Sequence, residues 1–243
     1  MHASRTRFKK EIVAEFSAPV KKSNKVIILC GGMPSYPGKK EDLMLWFSKK
    51  GFWVFIPRYR GTWESGGEFL KVSPHQDVID VMDGIQSGFT DLWNHAKYQV
   101  LNPSFYLVGS SFGGPAAILA SKDKRVRKVV ALSPVVDWKA QGNKDIDNYY
   151  RFSKEALGNA YRFSAEKMDK LKTSKFYNPM SEVKKLDGKK LMIIHAKDDK
   201  VVSYKPSEKF ASVTGSKLII LKSGGHLSTS DLPKFWKRIT NFI

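Results

Sequence analysis

A chain of 243 residues with 42% hydrophobic side chains can bury one sizeable core, which excludes a disordered polymer. Its single cysteine, Cys30, excludes an internal disulfide and fits a reducing compartment. The net charge of +19 is that of many phosphate binders, yet the lysines lie in scattered pairs such as Lys9-Lys10, Lys49-Lys50 and Lys189-Lys190, the pattern of a solvated surface.

The amino-terminal "MHASRTRFKKEIVAEF" is basic and lacks the apolar stretch of a signal peptide. No apolar run approaches the roughly 20 residues that cross a bilayer, so the expectation is a soluble, cytoplasmic protein with no membrane span. "RFKKEIVAEFSAPV" predicts one or two antiparallel edge strands. Apolar runs of strand length then recur: "VIILC" (26–30), "FWVFI" (52–56), "FYLV" (105–108), "VVAL" (129–132), "LMIIH" (191–195) and "LIIL" (218–221). They are continuous rather than alternating, as expected of strands covered on both faces.

Helical periods fill the gaps. "EDLMLWFSKK" ends before Gly51, a suitable C-cap. "HQDVIDVMDGIQSGFTDLWNHA" (75–96) sets Val78, Val81, Met82, Ile85, Phe89 and Leu92 on one stripe, with His75 and His95 at the two ends. "GGPAAILASK" and the terminal "DLPKFWKRITNFI" complete the alternation. Strand and helix repeated in this way predict an α/β fold, a mostly parallel sheet with helices on both faces.

Residues 138–180 carry no strand signal and predict a small helical insertion within a single domain spanning 1–243. "YRFSKE" at Tyr150 returns as "YRFSAE" at Tyr161. Each copy reads as a helix start, with Ser153 and Ser164 as N-caps and Glu155 and Glu166 at the positive helix end. Phe152 would staple onto Leu157 and Phe163 onto Met168, and Gly158-Asn159 would close the first helix. The insertion holds Trp138, Tyr149, Tyr150, Phe152, Tyr161, Phe163, Phe176 and Tyr177, some to pack on the body and others to line an acyl pocket.

"GSSFG" (109–113) matches G-x-S-x-G with a strand before it and a helix after it. In that context the turn is so sharp that Ser111 adopts a strained backbone and projects its hydroxyl beyond the sheet edge. Gly109 and Gly113 leave room for the neighbouring strand and helix. Ser110 would point into the sheet or its flank. Ser111 also stands at a helix N-terminus, where free N–H groups favour negative charge.

With these residues the chain resembles the α/β-hydrolase family over nearly its whole length. The resemblance implies an acid and then a histidine downstream of the serine. "HAKDDKVV" is similar to the family's H-G-x-x-D-x-x-V segment and places the acid at Asp199, with Asp198 its neighbour and Ala196 where glycine is usual. Asp137 in "LSPVVDW" is the alternative, since some members take the acid from the preceding strand. "SGGHLST" resembles the family's Gly-His loop and offers His226 as general base. The oxyanion donors implied are the N–H of Phe112 and one from "CGGMPSYPG", Met33 in one register and Gly32 in the other.

"YRGTWESGGEF" (59–69) resembles a rim loop of cinnamoyl and feruloyl esterases and of prolyl oligopeptidase-like peptidases, with Trp63 a possible substrate contact. No β-propeller is expected ahead of the catalytic domain. His195 is expected to end a strand, and Cys30 to be a small buried hydrophobe. No histidine pair has metal-ligand spacing, so no metal and no cofactor are expected.

The resemblance implies a serine hydrolase that transfers an acyl group to water. The expected substrate is a small-molecule carboxylic ester with a small to medium, uncharged acyl group. A peptidase that holds the substrate amine with Asp145 or Asp147 is the alternative. A non-enzymatic basic module binding nucleic acid is the remaining one, with no specific nucleic acid expected.

Overall fold

The computed structural model describes residues 3–38 and 40–243. The chain opens with strands β1 (Ser4–Phe8), β2 (Ile12–Ser17) and β3 (Lys25–Cys30), then helix α1 (Glu41–Lys49), β4 (Trp53–Pro57) and α2 (Pro74–Ser87). A small hairpin of β5 (Phe89–Thr90) and β6 (Lys97–Tyr98) precedes β7 (Ser104–Ser110), α3 (Gly113–Ala120) and β8 (Val126–Leu132). Three helices, α4 (Trp138–Gln141), α5 (Asn143–Leu157) and α6 (Ala165–Asp169), come next with short 3-10 turns. The chain closes with β9 (Leu191–Ala196), α7 (Lys205–Thr214), β10 (Lys217–Leu221) and α8 (Leu232–Ile239).

Eight strands form one sheet in the order β1-β2-β4-β3-β7-β8-β9-β10. The β1 and β2 pairings are antiparallel and all the others parallel. The continuous apolar runs are the central strands, and each buries side chains on both faces. On one face, Val78, Val81, Met82 and Ile85 of α2 pack with the wholly buried α3 against the sheet. On the other, Leu43, Met44 and Phe47 of α1 meet Leu232 and Ile239 of α8.

The register brings four strand ends together. Cys30 pairs with Gly109, Ser110 with Leu132, and Leu132 with Ile194. The segments that follow β3, β7, β8 and β9 therefore leave the sheet side by side. Gly32, Met33, Ser111, Phe112, Asp137 and Asp199 lie on these segments, and His226 on the loop after β10.

Two expectations of helix are corrected. The stripe starting at His75 stops at Ser87, because Gly88 at φ +115° turns the chain away. Phe89 instead joins Phe8, Phe16, Phe55 and Tyr98 in an aromatic cluster under the β1-β2 hairpin. Leu92 is exposed, and His95 sits in the β5-β6 turn at φ +61°. Ser153 is not an N-cap. It lies inside α5, where its hydroxyl donates to the Tyr149 carbonyl at 2.7 Å. Phe152 is correspondingly exposed and makes no staple, whereas Ser164 does occupy an N-cap position, and Phe163 and Met168 share one core.

Candidate active site

The glycines around Ser111 are forced by close approach. A Cβ on Gly109 would collide with the Gly113 carbonyl, and one on Gly113 with the Cys30 carbonyl. The turn they permit holds Ser111 at φ +52°, a left-handed backbone that costs a non-glycine residue on the order of 1 kcal/mol. Its N–H donates to the Leu132 carbonyl at 3.0 Å, so the next strand carries the strained residue. Gly32 lies against it, since a Cβ there would sit 3.4 Å from the Ser111 Cβ.

Ser111 and His226 open into one cavity of about 700 Å³. Gly32, Met33 and Phe112 line it too. His226 reaches it from the loop after β10, whose preceding glycines are fixed by Asp198: the Gly224 and Gly225 amides donate to its carboxylate at 3.2 and 2.9 Å. His226 Nδ1 stands 2.8 Å from Asp199 Oδ2. That leaves the His226 Nε2 as the ring nitrogen free to exchange a proton in the cavity.

Asp199 has no exposed side-chain surface and is heavily hydrogen-bonded. Its Oδ1 accepts from the Val201 and Val202 amides at 2.9 and 3.0 Å. Burial opposes its ionisation, but hydrogen bonds from His195, His226, Val202 and Ser133 outweigh burial and hold the carboxyl well below the usual range. Asp137, the alternative acid, accepts from the Lys139 amide at 3.1 Å as the N-cap of α4.

Two residues around Asp199 carried no signal in the sequence. Ser133, at φ +43° just beyond β8, is fully buried, and its hydroxyl accepts the Leu227 N–H at 3.1 Å. It thus links the acid to the histidine loop. His195 does end a strand, as expected, but it also turns its ring onto the acid. Its Nε2 faces the Val202 carbonyl at 2.9 Å and Asp199 Oδ2 at 3.2 Å, while Nδ1 meets the Ser207 hydroxyl at 3.0 Å. Facing two acceptors, Nε2 carries a hydrogen, and the Ser207 hydroxyl fixes the other side of the ring.

The aromatics of the helical segment now divide. Trp138, Tyr149 and Phe152 line the cavity. Tyr161 and Tyr177 are buried and grip the backbone beneath it. The Ser35 amide donates to the Tyr161 hydroxyl at 3.1 Å, and the Tyr177 hydroxyl donates to the Phe112 carbonyl at 2.6 Å. Burial pushes the Tyr177 hydroxyl well above its ordinary range, so it keeps this proton at neutral pH. Trp63 is absent from the cavity wall; its indole N–H donates to the Ser35 carbonyl at 2.7 Å. The rim loop is a brace.

Among the described residues on the cavity wall there is no carboxylate. Asp145 and Asp147 lie elsewhere, and Asp147 is paired with Lys172 at 2.6 Å. No group of three or more His, Cys, Asp or Glu among the described residues could hold a metal ion. No helix among them is long and apolar enough to cross a membrane. Burial pushes the Cys30 thiol up to about 12, leaving it protonated and inert.

Residues 41–231, well over half of the chain, match the profile of the prolyl oligopeptidase family. The chain belongs to that family, and its fold is that of the α/β-hydrolases. That membership places it among the serine hydrolases. A comparison with curated proteins found no match. Among solved structures, an esterase from Pyrococcus furiosus is 16% identical with a TM-score of 0.70, over 99% of this chain and 89% of that one. Est1E from Butyrivibrio proteoclasticus is 17% identical, TM-score 0.64, over 100% and 97%. Acylaminoacyl peptidase from Pyrococcus horikoshii is 18% identical, TM-score 0.64, over 99% of this chain but only 41% of that one.

Proposed function

We propose that the protein hydrolyses carboxylic esters of small to medium acyl groups through an acyl-enzyme on Ser111, with Asp199 and His226 completing a triad. The observation that carries the reading is the strained Ser111 in a cavity whose wall also holds His226, itself 2.8 Å from the buried Asp199.

His226 Nε2 takes the Ser111 hydroxyl proton as Oγ attacks the ester carbonyl. Asp199 holds the imidazole by Nδ1–H and stabilises the imidazolium. The oxyanion of the tetrahedral intermediate receives the Phe112 N–H and one from Gly32 or Met33. On collapse the C–O bond breaks, and His226 returns the proton to the departing alkoxide. Water then repeats the cycle on the acyl-enzyme and releases the carboxylic acid. The residues suffice without a cofactor.

The absence of a carboxylate among the described wall residues favours esters over a substrate with a free α-amino group. The test is labelling with a fluorophosphonate and locating the adduct by mass spectrometry, with turnover of 4-nitrophenyl butyrate and of an aminoacyl 4-nitroanilide alongside. The adduct is expected on Ser111, and Ser111→Ala should lose on the order of 10⁶-fold in kcat. An adduct elsewhere overturns the triad. A preference for the anilide overturns the substrate class.

A further inference from the structure

The cavity wall has one formally charged side chain among its described residues, Lys40. It follows the loop that carries Gly32 and Met33 and stands immediately before α1. Its ammonium makes no hydrogen bond and no ion pair within 4 Å among the described residues. Lys40 also borders an adjoining cleft that holds Glu15 and Arg58, and Glu15 is the acidic group that acts on it. Glu15 is already engaged, with Oε1 at 2.5 Å from Arg58 and 3.5 Å from Arg5.

A half-buried cation without a hydrogen-bonding partner is costly, because water is partly withdrawn and only the field of a nearby carboxylate offsets the loss. Burial lowers the Lys40 pKa, Glu15 opposes this and Arg58 adds to it. Where such a lysine faces a site rather than the core, the missing counter-charge belongs to a ligand. The remainder of the wall is largely apolar, including Met33, Phe112, Val135 and Trp138, so the ligand joins an apolar body to one negative group.

We infer that Lys40 is an anion anchor and that the preferred ester bears a carboxylate at the far end of its acyl portion. This rests on the hydrolase reading above. With His226 serving the leaving oxygen, the anchor on the loop that carries Gly32 and Met33 is assigned to the acyl side. This inference departs from the uncharged acyl group expected from sequence, where nothing places Lys40 at the cavity.

The test compares 4-nitrophenyl monoesters of glutaric, adipic and suberic acid with their methyl ketone isosteres, in which acetyl replaces the free carboxylate. The wild-type protein should prefer the anion at one of these lengths by about tenfold or more in kcat/KM, the scale of a hydrogen bond to a charged group. Lys40→Met should bring that ratio to one or below, and Lys40→Glu should invert it. Because each ratio is taken within one variant, a general loss of activity cancels. No anion preference in the wild type, or a preference kept in Lys40→Met, overturns the inference. If no ester is turned over, the hydrolase reading fails instead. Equilibrium binding of monoethyl adipate and ethyl 6-oxoheptanoate, followed by tryptophan fluorescence, then decides the anchor. Tighter binding of the adipate that Lys40→Met abolishes supports it, and equal affinities overturn it.

Discussion

His195 and His226 meet on a single atom, Asp199 Oδ2, at 3.2 and 2.8 Å. One ring faces the cavity and the other is fully buried, with its Nε2–H shared between that oxygen and the Val202 carbonyl. His195 therefore aims the carboxylate that in turn aims His226. His195→Gln should lower kcat for 4-nitrophenyl butyrate by about 10- to 100-fold, the equivalent of one hydrogen bond to a buried charge. KM should stay nearly constant, because His195 does not reach the cavity wall. A rise in KM with unchanged kcat would remove it from the positioning of the acid.

Asp199→Asn should cut kcat by roughly 10⁴-fold, since an amide can hold the wrong imidazole tautomer. Asp137→Asn should leave kcat within a few-fold. Asparagine caps helices nearly as well as aspartate, so stability should change by less than about 1 kcal/mol. Parallel kinetics and urea unfolding of the two variants separate the acid from the cap. The reverse pattern would place the acid after β8.

Arg60 holds the rim loop to α2 and to the edge hairpin. It binds Asp80 at 2.7 Å, Glu11 at 2.5 Å and the nearly buried Asp77, whose other oxygen accepts the Arg60 N–H at 2.9 Å. Removing the guanidinium strands a carboxylate in the interior. Arg60→Met should destabilise the protein by about 3 kcal/mol, measured as a shift in urea midpoint. A shift below ~1 kcal/mol would mean that the network is solvated.

His75 gives stability a dependence on acid. Burial lowers its pKa from the ordinary 6.5 to about 4, with Lys122 lowering it further and Glu182 opposing. The folded protein thus keeps a neutral ring that the unfolded chain protonates first. The contribution is complete above about pH 6.5 and is lost as pH falls toward 4. Between pH 7.5 and 5 the wild type should lose on the order of 1 to 2 kcal/mol more than His75→Gln. Equal slopes would place the ring in water.

Periodicity made the parallel sheet legible, because strands covered on both faces must be apolar without interruption. The strained serine was legible because only glycines fit against the Gly113 and Cys30 carbonyls. The end of α2 was not, since Phe89 and Leu92 keep the helical stripe while Gly88 alone breaks the backbone. Ser133 and His195 were invisible for another reason. Their place around Asp199 depends on the register of β8 with β9, which brings Leu132 beside Ile194, and no local pattern encodes that pairing. Ser153 failed as a cap because the tertiary setting extends α5 across it.

The hydroxyls of Tyr161 and Tyr177 tie the helical segment to the backbone at Ser35 and Phe112, two stretches that line the cavity beside Ser111. The segment is consequently not an exchangeable module. A chimera that takes residues 138–180 from a relative would change the pocket lining and, with it, the bonds that hold the backbone at Ser35 and Phe112. Under the proposed function, an insertion exchanged for selectivity would have to keep those two tethers to keep the rate.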